Sequence, residues 1–175
     1  KSISLWKAAD GTPWKSLTGH ASRVTSMDFS PDGKYLASGG RDRNIFIWDL
    51  DTGAAARQIL SPKSTIWCVA YSPDGRFLAS GNSDRDLDLW NTADWTLNRT
   101  YQGHLRQIYC LSFSPDGGAL LSGDDEGIVK QWDIRNPNTV DEHWTLRGHT
   151  GMINHASYSP DGALLATAAG DWQTN

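Results

Sequence analysis

The sequence predicts an all-β fold assembled from four repeated, four-stranded units, on three observations. Ser-Pro-Asp-Gly occurs at Ser30–Gly33, Ser72–Gly75, Ser114–Gly117 and Ser159–Gly162, at offsets of 42, 42 and 45 residues. Trp6, Trp48, Trp90 and Trp132 recur every 42 residues. Gly19-His20, Gly103-His104 and Gly148-His149 keep the same phase, so the three extra residues fall in a Pro/Asn-rich loop within Ile134–Asp141. A period shared by three markers means stacked supersecondary units, because one such unit cannot bury its apolar face alone.

Each element follows from its residues. Ser2–Trp6 and Thr12–Leu17 open the chain as two strands. Val24–Phe29 runs into Ser-Pro-Asp-Gly, whose Pro at the second position and Gly at the fourth specify a type I turn and the left-handed residue of the bulge after it. Tyr35–Gly39 returns, and Ile45–Trp48 follows with β-branched and aromatic residues. Arg57–Leu60 is a fourth, more polar strand. The pattern repeats until Ile153–Tyr158 and Leu164–Ala168 close the chain. No long segment combines helical periodicity with capping signals. Four short strands per 42-residue period is the arithmetic of a propeller blade.

Order within the unit makes the likeness specific. Gly-His, Ser-Pro-Asp-Gly, Ser-Gly-x-x-Asp and Trp-Asp succeed one another, and the chain resembles WD40 repeats over essentially its whole length. Trp48-Asp49 and Trp132-Asp133 carry the namesake dipeptide, whereas Trp90-Asn91 and Trp6-Lys7 keep only the indole. The resemblance implies a WD40-type β-propeller with four blades per chain. It also implies a non-enzymatic scaffold that binds protein or peptide ligands around its central channel, with no cofactor.

Composition narrows the function. A formal net charge of −4 without a basic run gives no footprint for gripping nucleic acid. No apolar stretch approaches the length of a membrane helix, and no secretory signal opens the chain. Lys1 in place of an initiating Met leaves a processed or excised N-terminus open. Cys68 and Cys110, the two cysteines, fit a reducing, cytoplasmic setting. They sit at equivalent positions on neighbouring inner strands, expected to be too far apart for a disulfide and simply buried. The five histidines form no close ligand set for a metal. Asn98-Arg99-Thr100 reads as a chance glycosylation triplet.

A His, a hydroxyl, a carboxylate and an indole recur within each unit. The expected quartets are His20, Ser38, Asp42 and Trp48; then Ser80, Asp84 and Trp90, with Pro62 where the His should be; then His104, Ser122, Glu126 and Trp132. The last unit offers His149, Thr167 and Asp171. A hydrolase triad would contain three of these residue types, but a catalytic site does not repeat along a chain. The pattern reads instead as a relay from indole N–H to hydroxyl to imidazole to carboxylate that locks a loop onto its blade. Pro62 and Glu126 should make the second and third blades looser.

With strands lettered a to d from the channel outward, the chain starts at strand c and stops after strand b. Residues 1–17 supply strands c and d, residues 18–60, 61–101 and 102–147 are whole blades, and residues 148–175 supply strands a and b. Open blade edges invite pairing. Four blades alone would need 90° between neighbours, whereas WD40 rings of seven or eight blades use roughly 45–51°. A twofold homodimer forming an eight-bladed ring is therefore expected, with Trp6 joining His149, Thr167 and Asp171 of the other copy. The plainer alternative is a stretch of a longer propeller.

The resemblance places partner-contacting positions at the start of strand a and just before the structural Asp. Carried over, these are Arg23, Thr25, Thr65, Trp67, Gln107, Tyr109, Met152 and Asn154, with Arg41, Ser83, Asp125 and Gly170 in the turns. Aromatic and arginine side chains there match the residue types of binding hot spots, and two arginines suit an acidic or phosphorylated peptide. The bland reading has Trp67 plugging the channel wall and the arginines merely solvated. Trp14, Trp95 and Trp144 belong on or near outer strands, and Trp172 follows the last structural Asp. Two other readings stay open: an engineered or excised half-propeller without a role of its own, or an enzyme using Asp28 and His155 in the channel.

Overall fold

The structure is a computed structural model that describes residues 1–60, 64–135 and 142–171. Sixteen strands are present among them and no helix. They are β1 (Ser2–Trp6), β2 (Pro13–Thr18), β3 (Val24–Phe29), β4 (Tyr35–Gly40), β5 (Asn44–Asp49), β6 (Ala55–Leu60), β7 (Ile66–Tyr71) and β8 (Phe77–Asn82). The remainder are β9 (Leu87–Asn91), β10 (Leu97–Tyr101), β11 (Ile108–Phe113), β12 (Ala119–Asp124), β13 (Val129–Asp133), β14 (Glu142–Leu146), β15 (Ile153–Tyr158) and β16 (Leu165–Ala169).

They form three four-stranded antiparallel sheets, β3–β6, β7–β10 and β11–β14, flanked by the two-stranded pairs β1–β2 and β15–β16. The hairpins close as their sequences require. Gly33 N–H donates to Ser30 O at 2.9 Å and Gly33 adopts φ +70°, with matching geometry at Gly75, Gly117 and Gly162. Blades stack through strand a, so that β3, β7, β11 and β15 lie side by side.

Packing between blades explains the Ser-Gly step of the repeat. A Cβ on Gly39 would lie 2.4 Å from Ile66 of the next blade; on Gly81, 2.7 Å from Ile108; on Gly123, 2.6 Å from Ile153. Only a missing side chain on strand b lets the first isoleucine of the following strand a sit against the sheet. Those isoleucines are fully buried, and each seeds an inter-blade core with residues such as Ile47, Leu78, Leu89 and Leu120. Burial of this kind, about 25 cal/mol per Å² of apolar surface, holds one blade to the next.

The two outer pairs remain separate sheets, and the edges of β1 and β16 are unpaired among the described residues. The β1–β2 hairpin packs Ile3, Leu5 and Leu17 onto Leu36, Phe46 and Trp48 of the first whole blade. The β15–β16 hairpin packs against Cys110, Leu121 and Val129 of the third. Outer surfaces that whole blades would cover stand open. Phe29 is 54 % exposed, whereas its counterparts Tyr71 and Phe113 are buried.

Candidate functional site

The quartets are built from the strand b hydroxyl outward. In the first whole blade Trp48 Nε1 donates to Ser38 Oγ at 2.8 Å, Ser38 Oγ lies 2.8 Å from His20 Nε2, and His20 Nδ1 lies 2.9 Å from Asp42. One proton arrangement satisfies every atom: Nδ1–H donates to the carboxylate, the serine hydroxyl donates to Nε2, and the indole donates to the serine oxygen. Burial alone would raise the Asp42 carboxyl, but the bonds from His20 and from the Asn44 and Ala21 amides outweigh it and hold it below the usual carboxylate range. The loop before strand a is thereby tied to the strand b–c turn.

The third blade corrects one expectation. His104 Nε2 meets Ser122 Oγ and Trp132 Nε1 donates to the same oxygen at 2.8 Å, but the carboxylate on Nδ1 is Asp124, at 2.8 Å, and not Glu126. Asp124 sits two residues nearer the strand than Asp42 does in its own unit. The equivalent position in the first blade is Gly40, where a Cβ would lie 2.8 Å from Asp42 Oδ1 and 2.9 Å from His20 Nδ1. Both positions therefore border the same space beside the imidazole, and a carboxylate from either can fill it. Glu126, left outside, pairs with Arg106 on the surface. The signal in the sequence was Asp124 itself, standing where the first unit has Gly40.

The second blade is shorter still. Trp90 Nε1 donates to Ser80 Oγ at 2.9 Å, while Asp84 stays exposed and joins no relay among the described residues. Asn82 instead caps the turn, its Oδ1 accepting the Asp84 and Asp86 amides. Pro62 lies outside the described residues, as does Trp172. In the last pair His149 bridges Thr167 at 2.9 Å and Asp171 at 2.7 Å, but among the described residues no indole donates to Thr167. Trp6, its expected donor, is 60 % exposed, against 2 % for Trp48.

Several rim residues converge. Trp67 on β7 and Tyr109 on β11 lie with ring centroids 4.9 Å apart, and the Arg41 guanidinium sits over the Trp67 ring at 5.1 Å. Trp67 Nε1 donates to Gln107 Oε1 at 2.8 Å and Tyr109 Oη reaches the same oxygen at 3.4 Å, so three consecutive blades contribute to one fixed platform. Such a locked aromatic pair loses little entropy when a ligand covers it. Thr25 joins the blades instead, donating to Ile66 O at 2.5 Å. Thr65 N–H is held by Ser83 Oγ, and Gly170 N–H by Met152 O. Arg23 is exposed and accepts the Arg41 amide through its own carbonyl. Asp125 stands near Tyr109, its carboxyl raised by burial and by the charge of Asp124.

Below the platform a groove of about 540 Å³ follows the inner strands, with Thr25, Trp67, Tyr109 and Asn154 at equivalent heights on β3, β7, β11 and β15. Asp28 and His155 also line it, but Asp28 Oδ2 accepts the Tyr71 amide at 2.7 Å and so brackets two blades. Burial raises its carboxyl, and the amides of Tyr71 and Phe29 oppose that. Cys68 and Cys110 are free and buried, and burial pushes the Cys110 thiol up to about 11. No group of three metal-ligating side chains comes together among the described residues. Trp14 on β2 is exposed, Trp144 on β14 is half-buried, and Trp95 occupies the β9–β10 turn with φ +62°.

Repeated four-stranded blades, stacked through strand a and pinned by Trp–Ser–His–Asp relays, define a WD40-type β-propeller. The model of the family described as IFT122 first beta-propeller matches residues 1–175, and the chain belongs to that family. One curated relative, Protein HIR1 of Kluyveromyces lactis, is 54 % identical over 35 residues, which is 20 % of this chain. The matched stretch spans 4 % of that protein's length. Propeller domains of this kind generally mediate protein–protein interactions and are typically non-enzymatic.

Proposed function

We propose that the chain is an interaction scaffold without chemistry of its own, holding a protein or peptide ligand on the channel rim through Arg41, Trp67, Gln107 and Tyr109. The observation that carries this is the platform itself: two aromatic rings, locked by one glutamine and capped by a guanidinium, beside an open groove. Thr25 and Asn154 line the groove beside it, and Arg23, Thr65, Asp125 and Met152 are proposed to extend the same surface. The free thiols Cys68 and Cys110 support a cytoplasmic setting. In affinity capture with the wild-type chain as bait, Trp67→Ala and Tyr109→Ala together should lose the specific partners. Retention of all of them by a folded double variant would remove this surface from consideration.

A twofold homodimer that closes an eight-bladed ring is supported by a separate observation. The free edges of β1 and β16 complement each other in register. By analogy with Leu36 opposite Trp48 and Ser38 opposite Phe46, Leu165 would face Trp6, and Thr167 would face Ser4, of the other copy. Trp6 Nε1 would then reach Thr167 and complete the fourth relay. Size agrees as well. Whole blades set Gly39, Gly81 and Gly123 under Ile66, Ile108 and Ile153, and the closing contact would set the larger Ala168 under the smaller Val24. Light scattering on residues 1–175 should give twice 19.3 kDa. A folded monomer at micromolar concentration would refute the closure.

A further inference from the structure

A second cavity, of about 420 Å³, opens between the first two whole blades at the opposite end of the strands from Trp67. Tyr35, Tyr71 and Trp95 wall it, with Pro31, Asp32 and Asp74 in the Ser-Pro-Asp-Gly turns around it. Tyr71 is only 8 % exposed, and its buried hydroxyl has no hydrogen-bond partner among the described residues. An orphaned buried hydroxyl is costly unless something occupies the site.

The repeat supplies an internal comparison. Between the third blade and β15–β16 the equivalent cavity is lined by Pro115, Asp116, Tyr158 and Asp161. There the chain's own Arg135 lies in it and pairs with Asp116, and Tyr158 Oη accepts from Gln131 Nε2 at 2.6 Å. In the second whole blade the corresponding carboxylate, Asp74, is held by Arg76 at 2.6 Å. Asp32, alone among these three turn carboxylates, has no ion pair among the described residues. The position of Arg135 is taken in the first blade by Asp51, and that of Gln131 by Ile47. Lys34 follows Asp32 and favours its charge, but no ion pair within 4 Å joins them. The Asp32 Oδ1 atom is engaged by Ser30 and the Lys34 amide, and Oδ2 accepts no side-chain hydrogen bond among the described residues.

We propose that this cavity receives an arginine side chain from a partner protein, in the place that Arg135 fills within the chain two blades on. The guanidinium pairs with Asp32 Oδ2, donates to the Tyr71 hydroxyl and lies against the aromatic walls, as a planar, weakly hydrated cation suits. An anionic or apolar side chain would satisfy neither oxygen. The site is independent of the Trp67 platform and of ring closure, being formed by residues 30–95 of one chain.

The test uses the chain of residues 1–175 and two short capped peptides, Gly-Arg-Gly and the same peptide with citrulline, which keeps the shape and removes the charge. Binding is followed by the Trp95 indole N–H resonance, assigned through Trp95→Phe. The arginine peptide should saturate that shift at concentrations of about 10 mM or below, and citrulline should bind at least about tenfold more weakly. Asp32→Asn, whose amide oxygen can keep the turn bonds, should abolish the discrimination. Tyr71→Phe should weaken the arginine peptide severalfold, and Asp161→Asn, in a remote turn, should change nothing. Equal shifts from both peptides, no saturable shift, or unaltered affinity in Asp32→Asn would overturn the assignment.

Discussion

Serine to alanine on strand b is the same chemical change in each whole blade, yet the relays predict different costs. Ser38 is fully buried and its oxygen serves two buried groups, Trp48 N–H and His20 Nε2, each at 2.8 Å. Removing it strands both, and each unsatisfied buried group costs about 1–3 kcal/mol. Alanine leaves almost no cavity, so the loss is nearly all polar, about 2–6 kcal/mol in total. Ser122→Ala should behave alike, because His104 and Trp132 use its oxygen in the same way. Ser80 serves only Trp90 among the described residues, and that indole is half-buried, so water can replace the lost acceptor. Ser80→Ala should cost about 1 kcal/mol. Urea titration followed by tryptophan fluorescence, at fixed protein concentration, measures the three values, and in thermal melts the two classes should separate by about 2–4 °C for each kcal/mol of difference. Equal destabilisation by Ser80→Ala and Ser38→Ala would refute the relay as the source of blade stability.

Other outcomes follow from the same geometry. Trp6→Ala should weaken the proposed self-association by about a hundredfold, read by sedimentation, since ring closure would bury this exposed indole and make it the donor to Thr167; Trp14→Ala, on an outer strand, should leave it unchanged. Gly123→Ala should cost about 1–3 kcal/mol by overpacking against Ile153, and Ile153→Val should recover part of that in denaturation curves. The carboxyls of Asp42, Asp124 and Asp171 have folded values below the ordinary one. Their stabilisation is complete above the unfolded value near 4 and is lost as pH falls through the folded values, so melting temperatures should drop steeply below about pH 4. A flat profile between pH 5 and about pH 3 would contradict the paired carboxylates.

Strand positions were legible because their causes are local. Val24–Phe29 and Ile153–Tyr158 stand where the sequence places them, and other boundaries move by only a residue or two, as with Tyr35–Gly40 and Leu165–Ala169. Ser-Pro-Asp-Gly fixes each hairpin through one proline φ and one left-handed glycine, which need no distant partner. Trp95 illustrates the limit: the sequence places it on or near an outer strand, and only the fold shows the tight turn that holds it against the inter-blade core.

What the sequence determined by itself was the period, and with it the blades, the strand count and the full relay of the first whole blade. The tertiary structure alone decided which carboxylate reaches His104, because Asp124 and Glu126 are two residues apart and only the path of the turn brings one to the imidazole. It also decided that Arg41, Trp67, Gln107 and Tyr109 meet, and that among the described residues Asp32 has no arginine partner such as Asp74 and Asp116 have. The Trp67–Gln107 contact joins residues 40 positions apart across a blade boundary, whereas His104–Asp124 and Arg135–Asp116 join residues about 20 apart within one blade. Repetition in sequence fixes what every unit shares, and side-chain reach across an interface fixes how one unit differs from the next.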